Sequence, residues 1–219
     1  MHADFDKAIA FVYTGGRRIQ RGALPRDTKA VYFLMKKNVV SVFCGSSDGT
    51  NPLYSQAARM LGELMASQGR TLIFGGCRSG LMRTVSSAVA DGGGRVVAAA
   101  VQGLCDPADE RFAAQTCRFP TVQARKLFMI DRADACVALP GGIGTLDELM
   151  DVYATLQIKR TDKPAGVLNI NGYYDPLLRF FEKMRAEGFL DSRYDGMFIV
   201  RQTAEDLLNA LDEWDGPRF

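Results

Sequence analysis

From residue 39 onward the chain alternates short apolar runs with longer segments whose apolar residues recur every three to four positions. The runs at 39–44, 71–74, 96–101, 135–139, 167–170 and 197–200 are nearly continuous, as expected of strands buried on both faces. Between them, residues 52–68, 80–91, 121–132, 145–158, 174–187 and 203–213 carry a helical period. In the first of these, Tyr54, Ala57, Ala58, Leu61 and Leu64 share one face. Thr203 is placed to cap the last helix, with Glu205 and Asp206 near the positive end of its dipole. Residues 103–119 show neither period and read as a looser segment. The alternation predicts an α/β fold in one domain, 39–219, with a parallel sheet covered by helices on both faces.

Residues 1–38 follow a different pattern. Ala3 to Tyr13 are compatible with a short helix, while 14–18 and 21–26 are loop-like and rich in arginine. A solvated N-terminal arm is the expected reading, and a contact to a phosphate or an acidic surface is the sharper alternative.

The ends of three apolar runs carry the candidate chemistry. Ala135 to Leu139 stop at Pro140-Gly141-Gly142-Ile143-Gly144, and a helical pattern begins at Thr145. Thr71 to Phe74 lead into Gly75-Gly76-Cys77-Arg78-Ser79-Gly80-Leu81-Met82, and Val39 to Phe43 into Cys44-Gly45-Ser46-Ser47. Strand, glycine turn and helix start bring backbone N–H groups close to a phosphate. Three such ends fit a nucleotide crevice in an open α/β sheet. A glycine turn also serves packing or left-handed φ with no ligand at all. Thr145 can donate its hydroxyl or cap the helix; Glu148, three residues on, can close a capping box or act as a catalytic carboxylate. Arg125-Lys126 precede this loop on a helix, where such a pair taken alone reads as a solvated face.

Composition narrows the classes. A net charge of +2 gives no global basic field, so nucleic acid is not an expected partner. No apolar run approaches the roughly 20 residues of a membrane span, and the N-terminus lacks a signal-peptide pattern, so a cytoplasmic protein is expected. The five cysteines are odd in number and without CxxC spacing, which argues against a zinc site and a disulfide framework. His2 is the single histidine, which leaves Cys44 and Cys77 without an evident base and argues against a Ser-His-Asp triad.

Taken together, Arg125-Lys126 and the Pro-Gly-Gly-x-Gly-Thr-x-x-Glu loop from Pro140 to Glu148 resemble the hallmark of the Lonely Guy family, often catalogued as lysine decarboxylases. The likeness extends to 43–47, Asn51-Pro52-x-Tyr54, Gly75-Gly76 with Gly80-Leu81-Met82, Asp91-Gly92-Gly93, Asp162-Lys163-Pro164 and Asn171-Gly172-Tyr173-Tyr174. It spans nearly all of 39–213. The resemblance implies a Rossmann-like three-layer α/β/α domain that hydrolyses the N-glycosidic bond of a nucleoside 5′-monophosphate, a cytokinin riboside monophosphate or AMP. It implies Glu148 and Arg125 as catalytic residues. It implies Gly45, Ser46, Gly76, Met82, Arg125, Lys126, Gly141, Gly142, Ile143, Gly144 and Thr145 as substrate-binding residues. It requires no metal or cofactor, and it implies at least a homodimer. Leu149, Met150, Val152, Tyr153, Leu156 and Ile158 give the 145–158 helix more apolar surface than one sheet contact needs, although a helix central to the monomer would look the same.

The chain departs from the family pattern at Cys77, Arg78, Arg83, Val122-Gln123 and Ala154, which bears on base specificity. Asp109 or Glu110 stands near the family's acidic substrate-contacting segment without a clean match. The decarboxylase label asks for a Schiff-base lysine with a partner for the pyridinium nitrogen, a constellation not identifiable here. One alternative is a non-catalytic nucleotide or molybdenum-cofactor carrier on the same scaffold. A dinucleotide oxidoreductase is disfavoured because the turn after the first strand lacks G-x-G-x-x-G.

Overall fold

The structure, a computed structural model, describes residues 38–104, 113–158, 160–194, 196 and 198–216. The expected arm up to residue 37, and the stretch containing Asp109 and Glu110, lie outside the described residues.

In chain order the elements are β1 (Val39–Phe43), α1 (Pro52–Ser67), β2 (Thr71–Phe74), α2 (Gly80–Asp91), β3 (Arg95–Val101) and β4 (Gln115–Phe119). They continue with α3 (Val122–Arg132), β5 (Ala135–Ala138), α4 (Ile143–Gln157), β6 (Ala165–Leu168), α5 (Asp175–Ala186), β7 (Phe198–Arg201) and α6 (Ala204–Asp212). The strands form a parallel sheet in the order β4-β3-β2-β1-β5-β6-β7. The chain winds outward from β1 to β4, then returns to the middle and winds the other way from β5. The strand order therefore reverses between β1 and β5, where open α/β sheets bind ligands beyond the strand C-termini.

The continuous apolar runs resolve into a period of two. Val40, Val42, Leu72, Phe74, Val96, Ala98, Ala135 and Val137 face the layer that includes α1, α2 and α6. Phe43, Ile73, Val97, Ala99 and Cys136 face the opposite layer, with Met129 of α3, Val152 of α4 and Phe181 of α5. Local chemistry starts the helices where the sequence suggests. Asn51 accepts from Leu53 N before Pro52, Thr121 accepts from Ala124 N, and Thr203 accepts from Asp206 N as expected. Buried Arg70 reaches across to α6 and donates two hydrogen bonds to the Asp212 carboxylate, at 3.0 and 2.7 Å.

Two expectations need correction. The looser segment 103–119 ends in strand β4, paired with β3 at the sheet edge. Its five residues are half-buried or exposed, so an edge position leaves no continuous apolar run to read. The strand expected at 167–170 lies at Ala165–Leu168, because Asn171 adopts φ 52° in the turn that follows. The apolar helix expected at 145–158 is explained mostly within the chain: Leu149, Val152, Tyr153 and Leu156 are buried, Met150 is half-buried and Ile158 is exposed. No helix among the described residues is long and apolar enough to cross a membrane.

Candidate active site

The three glycine-bearing strand ends are neighbours, because β2, β1 and β5 are the adjacent central strands. Backbone hydrogen bonds join them. Gly45 N donates to the Pro140 carbonyl at 3.1 Å, and Met82 N donates to the Gly45 carbonyl at 3.3 Å. Ser79 Oγ donates to the Ser46 carbonyl at 2.8 Å. The contacts are close enough to exclude side chains. A β-carbon at Gly141 would lie 2.1 Å from Thr145 Oγ1 and 2.8 Å from Gly45 N. One at Gly80, which has φ +59°, would lie 2.3 Å from the Ser46 carbonyl carbon.

α4 begins at Ile143 with Gly142 as its N-cap and no side-chain cap. Thr145 and Leu146 N donate to the Gly142 carbonyl. Thr145 is therefore inside the first turn, not a cap, and its buried side chain lies against Gly141. Glu148 is likewise not the acidic member of a capping box. Its carboxylate accepts from Arg125 Nη2 of α3, and both side chains are buried. Gly75 makes room for this pair, since its β-carbon would lie 3.3 Å from Arg125 Nη1 and 3.2 Å from Met82 Cε. Arg125 Nε is buried and has no hydrogen-bond partner among the described residues. Burial lifts the Glu148 carboxyl from its ordinary 4.5 to about 7, against the opposing pull of Arg125.

Lys126 takes a different direction from its neighbour. Its ammonium is bridged by Asp147 at 2.8 Å and Asp151 at 2.7 Å, one turn apart on α4. Burial works to lower its pKa, but hydrogen bonds and charge from the two aspartates outweigh this and raise it. A firmly protonated lysine is a poor Schiff-base nucleophile, in line with the sequence argument against decarboxylation. The Cys44 thiol is pushed up by burial and by the nearby Glu148 charge, so it stays protonated. Burial likewise pushes Cys136 up to about 12. Cys77 is disulfide-bonded, a pairing that the odd number and spacing of the cysteines did not signal. Among the described residues no group of three or more His, Cys, Asp or Glu side chains is arranged to hold a metal ion.

Gly45, Ser46, Gly76, Met82, Arg125, Gly141, Gly142, Ile143, Gly144, Thr145 and Glu148 thus gather at the C-terminal ends of the three central strands or on the helices that start or pass there. Ile143 turns its side chain outward, 82% exposed. The catalytic reading of the sequence did not single out Tyr173 and Tyr174. Their hydroxyls donate to the carbonyls of Gly141 and Leu139, each at 2.6 Å. The available signal was their place in Asn171-Gly172-Tyr173-Tyr174, a segment without strand or helix periodicity.

The fold and the crevice at its switch point define a Rossmann-like α/β protein. A family model described as "Possible lysine decarboxylase" matches residues 82–211. The Arabidopsis thaliana cytokinin riboside 5′-monophosphate phosphoribohydrolase LOG3 is 38% identical over 176 residues, 80% of this chain and 82% of that protein. The Oryza sativa protein named "Probable cytokinin riboside 5′-monophosphate phosphoribohydrolase LOGL5" is 40% identical over 180 residues, 81% of this chain and 73% of that one. The chain belongs to this family, the Lonely Guy family. Among solved structures, the molybdenum cofactor carrier protein of Chlamydomonas reinhardtii superposes with a TM-score of 0.62. It covers 82% of this chain and 98% of its own at 20% identity, a likeness of fold alone.

Proposed function

We propose that this chain hydrolyses the N-glycosidic bond of a nucleoside 5′-monophosphate, releasing the free base and ribose 5-phosphate. The substrate is a cytokinin riboside 5′-monophosphate, AMP or both. The observation that carries the reading is the buried Arg125–Glu148 pair beside an uncapped glycine turn at the sheet's switch point. Family membership supports it, since the relatives are named for this reaction. The carrier alternative rests on fold alone, whereas retention of both Arg125 and Glu148 as a buried pair favours the enzyme.

Breaking the glycosidic bond builds positive charge on the ribose, as in glycoside hydrolysis. The Glu148 carboxylate stabilises that charge and orients the water whose oxygen bonds to the anomeric carbon. The base departs with the bonding electrons and takes up a proton. Arg125 holds Glu148 in place and contacts the substrate. Backbone N–H groups of Gly142, Ile143 and Gly144, at the positive end of the α4 dipole, bind the 5′-phosphate together with the Thr145 hydroxyl. Gly45, Ser46, Gly76 and Met82 line the nucleotide from the neighbouring strand ends. Lys126 keeps its place in this site by fixing α4 against α3 through Asp147 and Asp151.

Residues 39–219 form the catalytic domain of a cytoplasmic enzyme, and 1–38 a separate arm. The enzyme assembles at least as a homodimer, a reading supported by exposed Leu127 on α3 and by exposed Ile143 and Ile158 at the two ends of α4. The decisive experiment compares nucleoside monophosphates with nucleosides and measures free base and ribose 5-phosphate. AMP is expected to be cleaved with a kcat/KM far above that of adenosine. Equal values overturn the role of the glycine loop, and release of no base from any monophosphate overturns the activity.

A further inference from the structure

Three consecutive carbonyls lead into the glycine turn, and each is held by a donor from elsewhere in the fold. The Leu139 carbonyl accepts from Tyr174 Oη at 2.6 Å, the Pro140 carbonyl from Gly45 N at 3.1 Å, and the Gly141 carbonyl from Tyr173 Oη at 2.6 Å. Two adjacent residues reach this one loop because of the turn after β6. Asn171 and Gly172 both adopt left-handed backbone, at φ 52° and 68°, and reverse the chain immediately before the tyrosines. Asn169 fixes the turn: its side-chain oxygen accepts from Tyr174 N at 2.8 Å, and its amide donates to Asp175 Oδ1 at 2.7 Å. The Tyr173 ring is gripped edge-on by Tyr54 and by Tyr174, with centroids 5.5 and 5.2 Å away.

The consequence follows from the geometry of the peptide group. A trans peptide is planar, with its C=O and N–H pointing in opposite directions. A Gly141 carbonyl fixed on Tyr173 therefore fixes the direction of the Gly142 N–H. Glycines on both sides of this peptide would otherwise leave it free to rotate. A hydrogen bond at the carbonyl also polarises the peptide and strengthens its N–H as a donor.

We infer that Tyr173 is a positioning residue for the phosphate-binding turn, orienting the Gly142 N–H through the carbonyl of Gly141; Tyr174 anchors the end of the strand through the Leu139 carbonyl, whose peptide nitrogen belongs to Pro140 and carries no N–H. The inference rests on the proposed nucleotide reading of the site. Tyr173 is the cleaner probe. Tyr173 is 39% exposed, whereas Tyr174 is buried and its Phe variant removes the hydroxyl that holds the Leu139 carbonyl.

The experiment titrates ribose 5-phosphate and adenosine separately into the full-length wild-type protein and Tyr173→Phe by calorimetry, and measures kcat and KM for AMP. Loss of one oriented donor is expected to weaken ribose 5-phosphate binding roughly 5- to 10-fold and to raise KM for AMP by a similar factor. Adenosine binding and the thermal midpoint are expected to stay unchanged, which a merely structural hydroxyl would not produce. Wild-type cleavage of AMP with identical ribose 5-phosphate affinity in the variant overturns this inference alone. Phosphate-selective binding that the variant loses, in a wild type that cleaves no nucleotide, upholds the positioning role and overturns the hydrolase reading. A wild type that binds neither AMP nor ribose 5-phosphate overturns both.

Discussion

Replacing Glu148 by glutamine separates catalysis from stability, because the structure gives the two opposite signs. The side chain is buried in the interior of α4, away from the helix start, so no capping interaction is lost. Burial has lifted its carboxyl from 4.5 to about 7 even with Arg125 in contact. Such a lift means that the fold favours the neutral form over the ionised one by about 3 kcal/mol. At pH 8 the wild type bears this cost and the Gln variant does not. The lost ionic partner of Arg125 takes part of the gain back, although the amide oxygen still accepts its hydrogen bond. The thermal midpoint of Glu148→Gln is therefore expected to be unchanged or raised by up to about 10 °C, at roughly 2–4 °C per kcal/mol for a chain of this size. Turnover of AMP is expected to fall roughly 100-fold or more, the usual size of a lost electrostatic contact to the transition state. The linkage has a definite direction. A carboxyl with a raised folded pKa contributes stability below about 4.5 that is lost as pH rises through about 7. The wild type should accordingly gain on the variant as pH falls across that window. Calorimetric melts from pH 4.5 to 8 beside kcat measurements test both halves. Turnover within about 3-fold of wild type refutes the catalytic role, since an electrostatic one is worth about 100-fold. Destabilisation at pH 8 with the opposite pH slope refutes the claim that burial outweighs Arg125.

Other expectations are more local. Gly141→Ala places a β-carbon 2.1 Å from Thr145 Oγ1, so it should displace the turn and abolish most AMP cleavage, as a steady-state assay would report. Asp212→Ala removes the carboxylate that pairs with fully buried Arg70 and should cost about 3 kcal/mol in urea denaturation; a change below about 0.5 kcal/mol, ordinary for a surface position, would make the pair incidental. Sedimentation at micromolar concentration should find a dimer, with activity falling on dilution. A fully active monomer would refute the assembly.

The sequence by itself determined the alternation of strands and helices and the three glycine-bearing strand ends. Strands covered on both faces must be apolar throughout, and that requirement is written locally in 39–44, 71–74 and 135–139. The glycine turns are equally local, because the absence of a side chain is a property of the residue itself. Partners distant along the chain were decided only by the tertiary structure. The half-solvated edge strand β4 left no apolar run, since only one of its sides is paired. Glu148 had the spacing of a helix cap, and only the packing of α3 against α4 placed it on Arg125 and sent Lys126 to Asp147 and Asp151. The carbonyl clasp of Tyr173 and Tyr174 joins residues 32 and 35 positions apart. A hydrophobic period records how deeply a residue is buried. It does not record which residue it meets there, because that depends on the order in which the strands assemble in the sheet.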